Sequence, residues 1–266
     1  MRYLVAAAGM LWALKLAVVH GAEDPHQACA AQAPLAIAGP ADVHVTVLCR
    51  PDAFLIVHDD EAHEPRAVEY TLTGDHSFGC VDRASFGFYR DPELPQTGAR
   101  PVNYAKSGYD FGHMAPAQDG AWDQAVMKEF FTTANVAPQR PGLNRQEWER
   151  LEENGRAWAW TRGALVIVVG PIMGPSPERI GPDGVAVPAA FFKLVYDPRA
   201  REAMAFIMPQ HDEPKGDLAP WRVSLDDLEQ RSGLTITMPD GITSSGVLWP
   251  ADLAAWHAEH KRRCHT

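Results

Sequence analysis

The feature that most constrains the fold of this chain is its set of four cysteines. They stand at Cys29, Cys49, Cys80 and Cys264. Because an apolar, export-type segment precedes them, their even number indicates two disulfides formed in an oxidising compartment. Four cysteines allow three pairings, and their spacing alone does not choose among them. We expect Cys29 to pair with Cys49.

The N-terminal segment resembles a secretory signal peptide. Arg2 gives a short positive start, and the run from Tyr3 to Val19 is apolar apart from Lys15. Small residues follow at Gly21 and Ala22, which is typical of a cleavage site. We therefore predict a signal peptide over residues 1–22, a single domain over 23–266, and a secreted or periplasmic protein. An uncleaved membrane anchor is the alternative.

The charge balance limits how this protein can bind a polyanion. The formal net charge is -10, and loss of Arg2 and Lys15 with the signal peptide takes it to about -12. A protein this acidic does not attract a polyanion through a global positive field. Binding of that kind would require a local group of Arg and Lys side chains and a bound cation.

The hydrophobic pattern predicts strands and helices without regular alternation. Residues 23–41 are rich in Ala and Pro and are expected to form a loosely packed arm. The predicted strands are Val43–Cys49, Ala53–His58, Val68–Thr73, Leu165–Val169, Ala189–Tyr196 and Ala203–Pro209. The predicted helices are Asp119–Phe131, Asn144–Trp160, Ser224–Ser232 and Ala251–Arg263, with Asp119 and Asn144 as N-caps. This irregular order favours an α+β fold over a doubly wound parallel sheet.

Three sequence blocks contain the residues whose side chains are best suited to catalysis or ligand binding. They read SGYDFGHMAP over 107–116, FTTANVAPQ over 131–139 and LNRQEWERLE over 143–152. Together and in this order, they resemble the DNA/RNA non-specific endonuclease family, the ββα-metal nucleases. The family signature is DRGHxAP, then SNxxPQ, then LNxxxWxxLE, and the resemblance covers about residues 49–246. It implies a central, mostly antiparallel sheet flanked by helices, with a ββα-metal catalytic motif.

The resemblance also implies roles for individual residues. His113 matches the general base, and Asn144 matches the one direct protein ligand of a magnesium ion, for which manganese can substitute. Glu152 and Arg156 match residues that order metal-bound water and hold the phosphate. The remaining matches are to substrate-binding positions, namely Arg83, Asn135 and Gln139, of which the two amides are also expected to fix the adjoining loop. The implied reaction is hydrolysis of DNA and RNA to 5′-phosphate products, and a homodimer is a further expectation.

The residue types suit this chemistry. A neutral imidazole can accept a proton from water near pH 7, and magnesium prefers oxygen ligands and retains several waters. Glu152 and Arg156 are four residues apart and therefore share a helix face. Asn144 lies eight residues before Glu152, about 80° around the helix. All three side chains can therefore face one cleft.

One departure from the family signature leaves alternatives open. Phe111 stands where the family usually has an arginine, with Lys106 and Arg140 as nearby cations that could substitute. A catalytically degenerate member that binds nucleic acid or a protein partner without cutting is therefore the second hypothesis. A phosphodiesterase for small substrates is the third. Asp110-Phe111-Gly112 also matches a protein-kinase motif, but no glycine-rich loop or H-R-D segment accompanies it.

Overall fold

The fold is described by a computed structural model that covers Gln27, residues 29–41 and residues 43–264. The expected signal peptide lies outside these residues. The strands are β1 (Ala36–Ala38), β2 (Val45–Arg50), β3 (Phe54–Asp59), β4 (Glu64–Thr73), β5 (Asp110–His113), β6 (Val136–Gln139), β7 (Ala164–Ile172), β8 (Arg179–Ile180), β9 (Val185–Ala186), β10 (Ala190–Asp197), β11 (Glu202–Pro209), β12 (Arg222–Val223), β13 (Thr235–Thr237) and β14 (Thr243–Ser244). The α-helices are α1 (Gln124–Phe130), α2 (Glu149–Arg162), α3 (Leu225–Ser232) and α4 (Leu253–Cys264).

An eight-stranded sheet forms the centre of the molecule. Its strand order is β12-β11-β10-β7-β4-β3-β2, with β14 added on β11. Neighbouring strands are antiparallel except for β11 and β14. The α+β fold with a mostly antiparallel central sheet is therefore confirmed. None of the helices in the described part is both long and apolar enough to cross a bilayer.

The two faces of the sheet bury different sets of side chains. On β7, Leu165, Ile167 and Val169 belong to the larger core, which also contains Trp148 and Trp158 of the helical segment that carries the catalytic candidates. The intervening residues of β7 point to a second core, which is covered by α3. This alternation follows from the two-residue period of a strand. It places the segment from Leu143 to Arg162 on one face of the sheet.

Two predicted helix starts are wrong. Asp119 is not a helix cap, since α1 begins at Gln124 and is capped by Asp123, whose side chain accepts from the backbone N–H groups of Ala125 and Val126. Asn144 is not a cap either, because it lies inside a π-helical turn, Leu143–Trp148, that continues into α2. Both short polar residues are used for side-chain contacts instead.

The N-terminal arm is packed more tightly than expected. Cys29, Ala33 and Leu35 are buried, and β1 pairs with β13. The disulfides are Cys29–Cys49 and Cys80–Cys264, so the expected first pairing is confirmed. The second disulfide joins the end of α4 to the loop that precedes Arg83.

Candidate active site

A short hairpin followed by a helix positions the candidate base. Strands β5 and β6 are antiparallel, with Gly112 opposite Ala137 and His113 opposite Val136. A Cβ atom at Gly112 would lie 2.5 Å from Cβ of Gln139, so only glycine fits this close crossing. The chain then enters the helical segment that begins at Leu143. This β–β–α order is the arrangement that the sequence predicted.

One cleft of about 260 Å³ brings the candidate residues together. Its lining is Arg83, Phe111, His113, Pro116, Ala117, Gln118, Asn144, Arg145, Glu149, Glu152 and Arg156. Every residue given a catalytic role by the sequence is in this set. Lys106 and Arg140, the nearby cations that could substitute for the missing arginine, are not in it. Arg145, which the sequence analysis did not single out, is.

His113 lies at the edge of the core and lines the cleft. Its residue surface is only 8% exposed, and its ring packs against Phe88 and Phe131. Burial, together with the positive charge of Arg83, lowers the pKa of His113 to about 3. The imidazole is therefore neutral. Its Nε2 atom is buried without a hydrogen-bond partner.

Phe111 is fixed between two other aromatic rings. Its ring centroid lies 4.1 Å from that of Phe88, at 9° between planes, and 4.0 Å from that of Tyr104, at 22°. These two neighbours occupy stacking positions on the ring of Phe111. The residue therefore gives this wall of the cleft an apolar side chain without hydrogen-bond donors.

The amide of Asn144 is oriented by a carboxylate on the hairpin. Its Nδ2 donates to Oδ2 of Asp110 over 3.0 Å. Arg145 donates to the same carboxylate from Nε, at 2.7 Å, and from Nη2, at 2.6 Å. Because Nδ2 is used in this way, the acceptor atom Oδ1 of Asn144 has no protein partner among the described hydrogen bonds. It is the atom suited to bind a cation.

A buried charge network adjoins the cleft through Glu152 and Arg156. Asp119 accepts from the Tyr70 hydroxyl at 2.9 Å and from Arg156 Nη1 at 3.0 Å. Arg156 is only 5% exposed, so this ion pair is buried. Burial raises the pKa of Glu152 to about 7, against the opposing positive charges of Lys193 and Arg156. The buried Lys193 lies 4.7 Å from the Trp148 ring centroid.

Two residues predicted to bind substrate are buried. Asn135 and Gln139 are both fully buried and do not line the cleft, so the structure gives no support to a direct contact with substrate. Asn135 instead accepts from Ala115 N and donates to the carbonyl oxygens of Ala115 and Phe130. It thereby fixes the loop that follows His113, which is the other role expected of it. The amide of Gln139 is buried without a hydrogen-bond partner.

The oxygen donors at the cleft fit a hydrated divalent cation. Asn144 offers an amide oxygen and Glu152 a carboxylate, and both line the same cavity as His113. Within the described residues, no group of three or more His, Cys, Asp or Glu side chains is arranged to hold a metal. The donor set therefore fits a hard cation such as magnesium, which retains most of its water, better than an ion held by side chains alone.

Comparison with known proteins agrees with this geometry. The sequence model of the DNA/RNA non-specific endonuclease family matches residues 39–242. The chain is 33% identical over 199 residues to the mitochondrial nuclease EXOG of Danio rerio, covering 68% of this chain and 57% of that protein. It is 31% identical over 213 residues to mitochondrial endonuclease G of Bos taurus, covering 74% of this chain and 70% of that protein. Nuclease C1 of Cunninghamella echinulata var. echinulata is 33% identical over 193 residues, covering 66% and 75% respectively.

A solved structure shares the fold. A chain from the crystal structure of the EndoG/EndoGI complex, which describes the mechanism of EndoG inhibition, superposes with a TM-score of 0.66. It is 26% identical in sequence, and the match covers 71% of this chain and 84% of that one. The chain spans little more than half the length of the EXOG relative. By the family match over most of its described residues, and by the β–β–α site that these residues build, this chain belongs to the DNA/RNA non-specific endonuclease family.

Proposed function

We propose that this protein is a divalent-metal-dependent endonuclease that hydrolyses DNA and RNA without sequence preference and leaves 5′-phosphate ends. The proposal rests on one observation: a neutral, partner-free imidazole shares a cleft with an available amide oxygen and with three arginines. The family relatives named as nucleases support the reaction class.

His113 is the proposed general base. A buried ring nitrogen without a protein partner needs an explanation in a native structure, and a lone pair left for a reacting water supplies one. As that water attacks phosphorus, its proton passes to the imidazole. The bond from phosphorus to the 3′ oxygen breaks, and this oxygen keeps the electron pair and takes up a proton from solvent to leave as a hydroxyl. A substrate phosphate next to Arg83 would offset the charge that lowers the pKa of His113. The imidazole would then be a stronger base in the complex than in the free protein.

Asn144 is the proposed ligand of the cation, and Glu152 is proposed to orient the water that the cation retains. When bound, magnesium or manganese would supply Lewis-acid stabilisation of negative charge on the phosphoryl and leaving oxygens. Asp110 holds the Asn144 amide in the orientation that leaves its oxygen available. Lys193 and Arg156 favour the charged form of Glu152 against the effect of its burial.

Arg156 and Arg83 are the proposed phosphate contacts. Arg156 is held from below by Asp119, and Arg83 lies in an exposed turn at the cleft. Contacts of this kind to phosphate carry no sequence information. Cutting without sequence preference follows from them.

The test is digestion of plasmid DNA and of RNA by the purified protein over a series of magnesium and manganese concentrations. We expect both substrates to be cut, the activity to disappear with EDTA, and His113→Ala to lower the rate by about 10²–10⁴-fold. Ligation of the products to an acceptor oligonucleotide would confirm 5′-phosphate ends. Intact substrates at every metal concentration between pH 6 and 9 would contradict the proposal.

Phe111 motivates a second candidate, a family member that binds nucleic acid without cutting. In that case the wild-type protein would retain plasmid in a mobility-shift assay without cleaving it. The variant Phe111→Arg would then gain cleavage. A cleaving wild type whose Phe111→Arg variant is no faster would exclude this candidate.

We also propose that the protein is secreted or periplasmic. Two disulfides are consistent with folding in an oxidising compartment. Cell fractionation, with N-terminal sequencing of the recovered protein, tests this location and the predicted cleavage after residue 22. Self-association as a homodimer stays a prediction, which sedimentation velocity would test.

A further inference from the structure

The three arginines of the cleft differ in how available they are. Arg156 is 5% exposed and is bonded to the buried Asp119. Arg83 is exposed and lies in a short 3₁₀ turn. The side chain of Arg145 is 67% exposed. Arg145 therefore presents the guanidinium on the helical side of the cleft with the greatest access to a bound strand.

The orientation of Arg145 is set by Asp110. The guanidinium donates from Nε and Nη2 to the two oxygens of this carboxylate. Nη1 makes no hydrogen bond among those described, so its donors remain available. An exposed ion pair of this kind contributes little to folding stability. Its effect is to hold a planar donor group in one place, which is the property that recognition of phosphate requires.

The residues around Arg145 offer a phosphate little else in the way of hydrogen-bond donors or positive charge. Phe111, on the neighbouring wall, has no donor group and is fixed by its stacked neighbours. Glu149 and Glu152 also line the cleft and repel a phosphate. The protein as a whole carries a net charge of -10. A polyanion can bind here only through local cations.

We propose that Arg145 is a substrate-binding residue whose guanidinium, positioned by Asp110, donates to a backbone phosphate of the nucleic acid on the Phe111 side of the cleft. This inference rests on the proposed function and adds a binding residue to it. The rival explanation is that Arg145 acts only as a positioning residue, holding Asp110 and through it the metal-binding amide of Asn144. The two explanations predict different measurements.

Binding is measured without cleavage, in the His113→Ala background and with EDTA present. Fluorescence anisotropy of a labelled single-stranded oligonucleotide is recorded over a series of KCl concentrations. For Arg145→Gln we expect a Kd at least about tenfold higher at low salt. We also expect the slope of log Kd against log salt to fall by about one phosphate contact. Arg145→Lys should keep most of the salt slope but bind more weakly than the parent, because it loses the fork geometry.

Arg140→Gln is the matched control, since Arg140 is exposed, precedes the same helical segment and does not line the cleft. It should bind as the parent does. A parental Kd and salt slope for Arg145→Gln would overturn the inference. A second result would also overturn it. If Arg145→Gln, made in the protein that retains His113, differs from the wild type only in needing more magnesium for cleavage, then Arg145 has a positioning role.

Failure of the inference is distinguishable from failure of the proposed function. If the wild type cleaves nucleic acid while Arg145→Gln binds normally, only the inference is wrong. If the wild type does not cleave but Arg145→Gln loses affinity and salt slope, the inference stands and the catalytic proposal is wrong. If the parent does not bind the oligonucleotide at low salt, the inference is wrong, and the digestion assay alone decides the proposed function.

Discussion

Asn144 and Asp110 are joined by a hydrogen bond of 3.0 Å from the amide nitrogen to the carboxylate. The bond connects the helical segment to the first strand of the hairpin. It also determines which edge of the amide is a donor and which is left as an acceptor. An amide free to rotate would present its oxygen to the cleft only part of the time.

Asp110→Ala should therefore weaken magnesium binding. Loss of a group that orients a metal ligand typically costs about 10–100-fold in metal affinity or activity. We expect the magnesium concentration for half-maximal cleavage to rise by such a factor, with a smaller change in rate at saturating metal. Asp52→Ala, at an exposed position before β3, is the control. An unchanged metal requirement would show that Asn144 is oriented without this carboxylate.

Arg83→Gln should raise the pKa of His113. Burial is the main cause of the lowered value and the charge of Arg83 is the second. Removing a positive charge makes protonation of the ring easier, so the pKa moves upward from about 3, and the pH below which the base is inactive moves upward with it. NMR titration of the ring protons in the substrate-free protein measures this directly. Arg199→Gln, on an exposed turn after β10, should leave the titration where it was.

Glu69→Gln should make the protein more stable at alkaline pH. Burial raises the pKa of Glu69 to about 8, although the Leu35 N–H group donates to its Oε1. In the folded state the group keeps its proton, whereas the unfolded chain releases it above its ordinary value near pH 4.5. The contribution of Glu69 to the free energy of unfolding is therefore fully present below about pH 4.5 and is lost as the pH rises to 8. Each unit by which the folded-state pKa exceeds the unfolded-state value corresponds to about 1.4 kcal/mol.

Urea unfolding at pH 5 and pH 8.5 tests this prediction. The glutamine has no carboxyl proton to lose and can still accept a hydrogen bond from Leu35 N–H. The free energy of unfolding of the variant, relative to that of the wild type, should therefore be higher at pH 8.5 than at pH 5. Glu61→Gln, at an exposed position, should follow the wild type. Parallel pH dependences of the wild type and Glu69→Gln would contradict the assignment.

The two disulfides should differ in their contributions to stability. Cys80–Cys264 closes a separation of 184 residues and Cys29–Cys49 one of 20. In the chain-entropy account, the longer loop stabilises by about 2 kcal/mol more. We expect the double variant Cys80→Ser with Cys264→Ser to have the lower denaturation midpoint of the two double-serine proteins. The reverse order would show that strain or residual structure in the unfolded chain outweighs loop length.

The sequence was sufficient to place the catalytic candidates because they lie in ordered blocks with a known spacing. The pairing of β5 with β6, and the helical segment after them, bring His113 and Asn144 into one cleft as expected. Central strands such as β7 were also predicted, since a continuous apolar run has few other places to lie. Their boundaries differ from the prediction by a few residues.

The side-chain contacts between site residues that are far apart in sequence could not be predicted in the same way. Asp119 is bonded to Tyr70, 49 residues earlier, and to Arg156, 37 residues later. Arg145 meets Asp110 across 35 residues. No local period or cap rule encodes such pairs, because they depend on how the sheet and the helix meet. The error at Asp119 has this cause: an acidic residue before a helical pattern is typical of a cap, yet this one is buried in the core.

The disulfide at the end of α4 has a consequence for the order of maturation. Cys80 is synthesised before His113 and Asn144, and Cys264 after them. Trp256 lies between the two cysteines in sequence, and its ring centroid is 5.3 Å from the guanidinium carbon of Arg156. Because a chain is synthesised from its N-terminus onward, this disulfide beside α2 can form only after the segment that contains His113 and Asn144 has been made. A polypeptide that stops before Cys264 would contain His113 and Asn144 but lack this cross-link.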